Sequence, residues 1–301
     1  MIDKQKTLKA SISFTGKGLH TGKTVTMTIL PAESDNGIIF RRVDIEGQPE
    51  VEALADYVVD TSRGTTICKN DAKVYTIEHI MSALWSMGVD NALIEINGPE
   101  VPIMDGSARE YAARIMEVGL QEQEQDRHYY ELKEKVSFSI PEKGVSIDIE
   151  PADEFTVSVE VDYNSRVLGV QNSSFVENGD YKGEIAPCRT FVFLHELEPL
   201  LNANLIKGGD LENAIVVVEH EISEEEIARL TALFNKGEVK VTNGYLNHLQ
   251  LRFSNEIARH KMLDILGDMA LLGKRFKGKV TAYRPGHYAN TETMKIMRKA
   301  Q

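Results

Sequence analysis

The chain has 301 residues, 42% of them hydrophobic and 27% charged, which predicts a folded globular protein of about two ordinary domains. Its formal net charge of −12 argues against a general nucleic-acid-binding protein, which would need a basic surface. No apolar run of about 18 residues occurs and the N-terminus lacks a signal-peptide core, so neither a membrane span nor secretion is expected. The two cysteines, Cys68 and Cys188, are too few for a disulfide scaffold and favour a cytoplasmic protein.

The first half of the chain alternates between strand-like and helical patterns. The predicted elements are short strands within residues 7–60, a helix at 76–87, a strand at 91–96 and a helix at 107–119. The polar, acidic stretch 121–127 that follows is typical of a linker. We therefore predict an α+β domain at residues 1–126 that carries Glu78 and His79.

The second half repeats the order of strands, helix, strand and helix, although no sequence repeat is evident. The predicted elements are strands near 131–150 and 155–162, mixed segments at 187–220, helices at 224–236 and 255–273, a strand at 279–283 and a last helix from about residue 291. A second domain is expected at residues 127–301, again with helices layered on a sheet.

A stripe of titratable residues interrupts the apolar pattern of the helix at 255–273. His260, Asp264 and Asp268 are spaced by four residues, so they share one face of that helix. Burying such groups costs several kcal/mol unless they are paired or bind a metal. The stripe therefore predicts that one helix supplies two ligands to a metal ion.

A second histidine, His79, lies on the helix at 76–87. Two imidazoles and one carboxylate suit zinc with an open position for water, and zinc lowers the pKa of that water to about 7. The same donor set also matches the facial triad of ferrous oxygenases. A third interpretation is a non-catalytic binding module whose polar helix face forms a salt-bridge network.

Three further residues have the chemistry that an amide hydrolase needs. Glu78, next to His79, is a candidate general base, although a glutamate in a first helical turn is also typical of plain helix stabilisation. His287, predicted to lie in a loop after a strand, could protonate a leaving amine, with Asp268 keeping its ring charged. Taken alone, the pattern is also typical of a surface loop histidine and of a helix-face carboxylate paired with Lys or Arg. The hydroxyl of Thr190 could donate to an oxyanion, although a threonine in this pattern is more typical of a plain strand residue. The segment 207–210 (KGGD) lacks the glycine spacing of a nucleotide-binding loop, which excludes triphosphatases and dehydrogenases.

Eight segments, spread in order over nearly the whole chain, resemble one known family. They are FTGKGLHTG (14–22), TIEH (76–79), GPEVPIMDGS (98–107), RTF (189–191), KGG (207–209), NAIVV (213–217), RHKMLD with GD (259–264, 267–268) and TAY with GH (281–283, 286–287). Together they are similar to the zinc-dependent UDP-3-O-acyl-N-acetylglucosamine deacetylases of lipid A synthesis in Gram-negative bacteria. The segment 61–66 (TSRGTT) is more polar than is typical of that family, which leaves contacts near the substrate entrance open.

The resemblance implies hydrolysis of the N-acetyl group of UDP-3-O-acyl-N-acetylglucosamine to acetate and a free amine. It implies a zinc ion held by His79, His260 and Asp264, with Glu78 as the base. It further implies that Thr190 stabilises the oxyanion, that His287 is the acid kept protonated by Asp268, and that three residues bind substrate: Lys261, Phe191 and His20.

The resemblance also implies two layered α+β domains packed helix to helix, each with a small insert. The second insert is expected at about residues 188–218 and would form a passage for the acyl chain. Its candidate lining residues are Leu194, Leu197, Leu200, Leu201, Leu205 and Ile206. We expect a monomer without a nucleic-acid partner, and an acylated substrate is compatible with transient contact with the inner membrane. Because the domain continues into a dehydratase in some lineages, an extension past Gln301 is left open.

Overall fold

The computed structural model describes residues 3–202, 207–234, 239–246 and 250–300. The helices in this part of the chain are α1 (Glu78–Ser86), α2 (Arg109–Val118), α3 (Tyr181–Glu184), α4 (Leu194–Asn202), α5 (Glu224–Phe234), α6 (Glu256–Met269) and α7 (His287–Lys299). The strands are β1 (Lys4–Leu8), β2 (Ile12–Lys17), β3 (Thr24–Pro31), β4 (Ile38–Arg42), β5 (Glu50–Glu52), β6 (Val58–Asp60), β7 (Thr66–Lys69), β8 (Ala72–Val74), β9 (Ala92–Ile96), β10 (Leu120–Asp126), β11 (Tyr129–Tyr130), β12 (Val136–Ile140), β13 (Val145–Glu150), β14 (Phe155–Asp162), β15 (Val170–Val176), β16 (Phe191–Phe193), β17 (Ile215–Val217), β18 (Val241–Thr242), β19 (Tyr245–Leu246), β20 (Arg275–Phe276) and β21 (Gly278–Tyr283).

Two five-stranded sheets of similar design form the outer layers of the molecule. The first has the strand order β2-β3-β9-β4-β5 and the second has the order β12-β13-β21-β14-β15. Each sheet is antiparallel except for one internal parallel pair, β4 with β9 in the first and β14 with β21 in the second. Alternate residues of β3 (Val25, Met27 and Ile29) are buried, which is the period-2 pattern of a sheet with one face on a core.

The helices α1 and α6 pack against each other between these sheets, and α7 covers β12 and β13. One continuous apolar cluster includes residues of both sheets and of both central helices, such as Ile94, Leu84, Leu263 and Val157. The predicted α+β class with helices layered on sheets is therefore confirmed. The domain boundary between residues 126 and 127 stays a prediction.

Two predicted segments differ in the structure. The expected linker at 121–127 falls largely within β10, which pairs antiparallel with β1. Because most side chains of β10 face solvent, its polar composition could not distinguish an edge strand from a linker. The last helix begins at His287 rather than near residue 291, and the Asn290 N–H donates to the Gly286 carbonyl in its first turn. His287 is thus in the first turn of a helix and not in a loop.

Each half also carries a small additional sheet, β6-β7-β8 in the first half and β16-β17-β19-β18 in the second. The predicted insert at 188–218 contributes β16 and β17 to the second small sheet, whose other strands extend to Leu246. Leu194 and Leu197 are buried in its own apolar cluster. Leu205 and Ile206 lie outside the described residues, as do the side chains of Leu200 and Leu201, so the acyl-chain passage stays a prediction. None of the described helices is long and apolar enough to cross a membrane.

Candidate active site

The site lies where α1 and α6 cross. The stripe predicted on α6 is buried, with His260 and Asp264 each 2% exposed and Asp268 fully buried. It is buried because α6 is covered by α1 on one side and by β14, β15 and α7 on others. His79, in the first turn of α1, faces the stripe.

Three donor atoms from His79, His260 and Asp264 lie within 4.8 Å of one another. Asp264 Oδ1 is 3.4 Å from His260 Nε2 and 3.9 Å from His79 Nε2. His260 Nδ1–H donates to the Cys188 carbonyl at 3.0 Å, which fixes the tautomer and leaves Nε2 directed at the cluster.

The cluster fits a divalent cation. Within the described part of the chain, the buried Asp264 Oδ1, which approaches the Nε2 atoms of both histidines, has no hydrogen-bond partner. Burial and the neighbouring His260 lower the pKa of His79 to about 3, and burial also lowers the pKa of His260. Burial raises the pKa of Asp264, but nearby positive groups such as Lys261 outweigh this and hold it below its usual range. Two neutral imidazoles and a carboxylate are the protonation states that bind a metal.

Glu78 lies beside this cluster at the start of α1. Its carboxylate is buried, and Oε2 accepts a hydrogen bond of 2.9 Å from the Thr65 N–H. Burial, together with the charges of Asp264 and Asp268, raises the pKa of Glu78 to about 7. A carboxylate with that pKa can accept a proton at neutral pH.

His287 lies near the cluster of His79, His260 and Asp264, with Nε2 4.0 Å from Asp264 Oδ2. Its Nδ1–H donates to Asp268 Oδ2 at 2.9 Å. Asp268 also accepts hydrogen bonds from Asn290 Nδ2 at 2.8 Å and from the Thr65 hydroxyl at 2.5 Å. Burial lowers the pKa of His287, but the Asp268 carboxylate outweighs it and raises the pKa to about 9. The ring is therefore cationic at neutral pH.

The other predicted residues border the same cavity, whose volume is about 440 Å³. Lys261 Nζ donates to Asp264 Oδ2 at 2.7 Å and lies 5.4 Å from the ring centroid of Phe191. Thr190 is held by its N–H, which donates to the Gly106 carbonyl. Nine predicted residues line the cavity: His20, Glu78, His79, Thr190, Phe191, His260, Lys261, Asp264 and His287. Asp268 lies behind His287, bonded to its Nδ1.

The sequence profile of one family, described as UDP-3-O-acyl N-acetylglycosamine deacetylase, matches residues 5–236 and 237–299. The chain belongs to this deacetylase family. The resemblance inferred from its motifs is thereby confirmed, and the three-residue cluster agrees with a metal-dependent member. The individual roles of the site residues stay predictions.

Named relatives of the deacetylase family cover nearly all of the chain. The bifunctional enzyme LpxC/FabZ of Bacteroides thetaiotaomicron is 46% identical over 297 residues, which are 98% of this chain and 64% of that protein. The enzyme of the same name from Porphyromonas gingivalis is 45% identical over 99% of the chain and 65% of its own length. The UDP-3-O-acyl-N-acetylglucosamine deacetylase of Syntrophotalea carbinolica is 40% identical over 95% of the chain and 85% of its length. The chain thus spans less than two thirds of the bifunctional relatives.

Three side chains that the sequence analysis did not identify support this deacetylase-family site. Glu256 is fully buried one turn before His260, and it accepts hydrogen bonds from Arg189 and from the Arg252 N–H. Its spacing of four residues from His260 extends the stripe, so the same pattern could have identified it. Thr65 and Asn290 reach Asp268 only through tertiary packing, and no sequence signal points to them.

Proposed function

We propose that this protein removes the N-acetyl group from UDP-3-O-acyl-N-acetylglucosamine, releasing acetate and the free amine for lipid A synthesis. The observation that carries the proposal is the buried cluster of His79, His260 and Asp264 with a carboxylate of raised pKa and a cationic histidine beside it. A base and an acid at one metal site are what amide hydrolysis needs. The names of the relatives point to the same substrate.

We infer that zinc is the metal and that His79, His260 and Asp264 hold it. When bound, zinc polarises a carbonyl group and lowers the pKa of water. The same ligands suit ferrous iron, which is the basis of the oxygenase alternative. The presence of Glu78 as a base and His287 as an acid at one site favours hydrolysis. An oxygenase does not need one group that accepts a proton and another that donates one.

The protein's own groups move two protons in the proposed reaction. Ionised Glu78 takes a proton from the water that attacks the acetamide carbonyl. The hydroxyl of Thr190 donates to the oxygen that becomes negative. Protonated His287, held by Asp268, gives its proton to the departing glucosamine nitrogen as the C–N bond breaks. The amine and acetate leave, and proton exchange with solvent restores both residues.

We propose that Lys261, Phe191 and His20 bind the substrate, because all three line the cavity. Burial lowers the pKa of Lys261, but the Asp264 carboxylate outweighs this and raises it. The ammonium group also lies over the ring of Phe191. Lys261 therefore offers a fixed positive charge to polar groups of the substrate. Val192 of β16 and Glu196 of α4 also border the cavity. We therefore keep the small sheet of the second half as the expected place for the acyl chain.

We further propose a cytoplasmic monomer that contacts the inner membrane only transiently and binds no nucleic acid. The net charge of −12 supports the last point, since a negative protein surface repels phosphate backbones. Sedimentation of the purified protein alone measures its oligomeric state, and sedimentation with anionic vesicles measures its binding to a membrane surface. A stable dimer, or persistent vesicle binding without substrate, would contradict this proposal.

The function is tested with the parent and Asp264→Ala, measuring metal content and acetate release from UDP-3-O-acyl-N-acetylglucosamine. We expect one zinc ion per chain and activity in the parent, and loss of both in Asp264→Ala. Asp148→Ala, a partly exposed carboxylate on β13, is the matched control and should retain both. Full activity in a metal-free Asp264→Ala protein would refute the proposal, and oxygen-dependent turnover with 2-oxoglutarate would support the oxygenase.

A further inference from the structure

We propose that Thr65 is a positioning residue whose hydroxyl orients the His287–Asp268 acid pair while its main chain holds the base Glu78. This inference rests on the proposed function, since it assigns Thr65 a part in the same reaction. Thr65 lies between β6 and β7 in the polar segment 61–66 and is fully buried. It joins the base, which is in the first half of the chain, to the acid pair, which is in the second.

The N–H and the carbonyl group of Thr65 both form hydrogen bonds with residues at the start of α1. Its N–H donates to Glu78 Oε2 at 2.9 Å, and its carbonyl accepts from the Ile77 N–H at 3.2 Å. The preceding Gly64 has φ of 155°, and a Cβ placed on it would lie 2.7 Å from Glu78 Oε1. A side chain at this position would displace the Glu78 carboxylate, and the φ itself favours glycine. The backbone of residues 64–65 therefore packs directly against the carboxylate of Glu78.

The side chain of Thr65 reaches the acid pair. Its hydroxyl donates to Asp268 Oδ1 at 2.5 Å, whereas Oδ2 accepts from His287 and Asn290. The two oxygens of Asp268 thus have different partners, and the Thr65 hydroxyl, which is also 3.3 Å from His287 Nδ1, lies against both members of the acid pair. A carboxylate held at both oxygens has a fixed plane, and that plane sets the direction of His287 Nδ1–H and therefore of the opposite ring nitrogen.

Removal of the hydroxyl would have a specific consequence at this buried position. Asp268 is fully buried, so Oδ1 would lose a charge-assisted hydrogen bond that solvent cannot easily replace. The Asp268 carboxylate would rotate toward another donor, and the imidazole of His287, which is hydrogen-bonded to it, would move as well. A displacement of about 1 Å at a catalytic group can reduce a rate about 100-fold. The main-chain bond from Thr65 to Glu78 would remain.

Thr65→Val keeps the shape of the side chain and removes only its hydroxyl, whereas Thr65→Ser retains the hydroxyl. We expect kcat to fall about 10- to 100-fold in Thr65→Val with KM changed less than about two-fold, and to recover in Thr65→Ser. Thr293→Val is the matched control, because that buried hydroxyl donates to the Ala289 carbonyl within α7. It should behave like the parent.

A double-mutant cycle with Asp268→Asn tests whether the hydroxyl acts through Asp268. Thr65→Val should have little further effect on kcat in the Asp268→Asn background. Equal losses in both backgrounds, parental kcat in Thr65→Val, or an equal loss in Thr65→Ser would each overturn the proposal. If Thr65→Val does not fold, Thr65→Cys, a weaker donor of similar size, replaces it and should show an intermediate kcat.

The imidazole signals of His287 provide a readout that does not depend on turnover. In protein labelled with ¹⁵N-histidine, the Nδ1–H resonance of His287 should shift in Thr65→Val and return in Thr65→Ser. An unshifted resonance would overturn the assignment of Thr65. If the parent does not deacetylate the substrate, the proposed function fails, but this resonance still measures the coupling of Thr65 to the acid pair.

Discussion

Gly267 of α6 lies directly against the main chain of Glu78 in α1. A Cβ placed on Gly267 would be 2.0 Å from the Glu78 carbonyl oxygen and 2.9 Å from its carbonyl carbon. The two helices therefore touch through their backbones at this point. Because His79 follows Glu78, and Asp264 precedes Gly267 by almost one turn, this contact brings together the proposed metal ligands of the two helices.

Substitution of Gly267 by alanine should force α1 and α6 apart. We expect a loss of about 1–3 kcal/mol in the free energy of unfolding, together with weaker metal binding, because the ligands on the two helices separate. Denaturant unfolding and metal titration measure the two effects. Gly286→Ala is the control for stability, since Gly286 has an extended φ and no neighbour within 4 Å of an added Cβ. Equal stability of the two variants would contradict this account of the helix contact.

The pH dependence of kcat/KM should be bell-shaped. In the proposed reaction Glu78 must be ionised, so activity should rise as the pH increases through its pKa of about 7. In the same proposed reaction His287 must be protonated, so activity should fall as the pH increases through its pKa of about 9. Rates measured from pH 5 to about 10.5 test both limbs. In His287→Gln the residual activity should lack the alkaline limb, and persistence of that limb would show that another group is the acid.

Glu78→Gln should separate catalysis from metal binding. The amide keeps the shape of the side chain and can still accept from the Thr65 N–H, but it cannot take a proton. We expect kcat to fall about 10²- to 10⁴-fold while metal content equals that of the parent, because Glu78 is outside the ligand cluster. Glu117→Gln, at an exposed position of α2, should match the parent in both measurements. Parental turnover in Glu78→Gln would exclude it as the base.

Arg189→Met should destabilise the protein strongly. Glu256 is fully buried and accepts from the Arg189 N–H and from its guanidinium at 2.9 Å. Loss of the guanidinium leaves a buried carboxylate without its charged partner, which costs about 3–5 kcal/mol. Thermal and denaturant unfolding measure the change. Arg114→Met, from the exposed pair with Glu117, should change stability by less than about 0.5 kcal/mol. A similar small change in Arg189→Met would mean that the buried pair adds no stability.

The fold class and the position of the central helix α6 could be predicted from local sequence patterns. The positions of α1, β9, α5 and α6 were predicted to within a few residues, because their apolar periods reflect one buried face. The segment at 121–127 was not predicted correctly, since its pairing with β1 is made by main-chain groups and leaves no mark on side-chain composition. His287 was expected in a loop, because the pattern of α7 becomes evident only after its first turn.

The sequence alone determined the chemical types at the site and the alignment of His260, Asp264 and Asp268, because the helical period relates residues within one element. Only the tertiary structure decided that His79 reaches His260 and Asp264, that His287 meets Asp268, and that Thr65 bonds to both Glu78 and Asp268. Thr65 and Asp268 are 203 residues apart along the chain. Contacts at such separations depend on how helices and sheets pack, which no local period encodes.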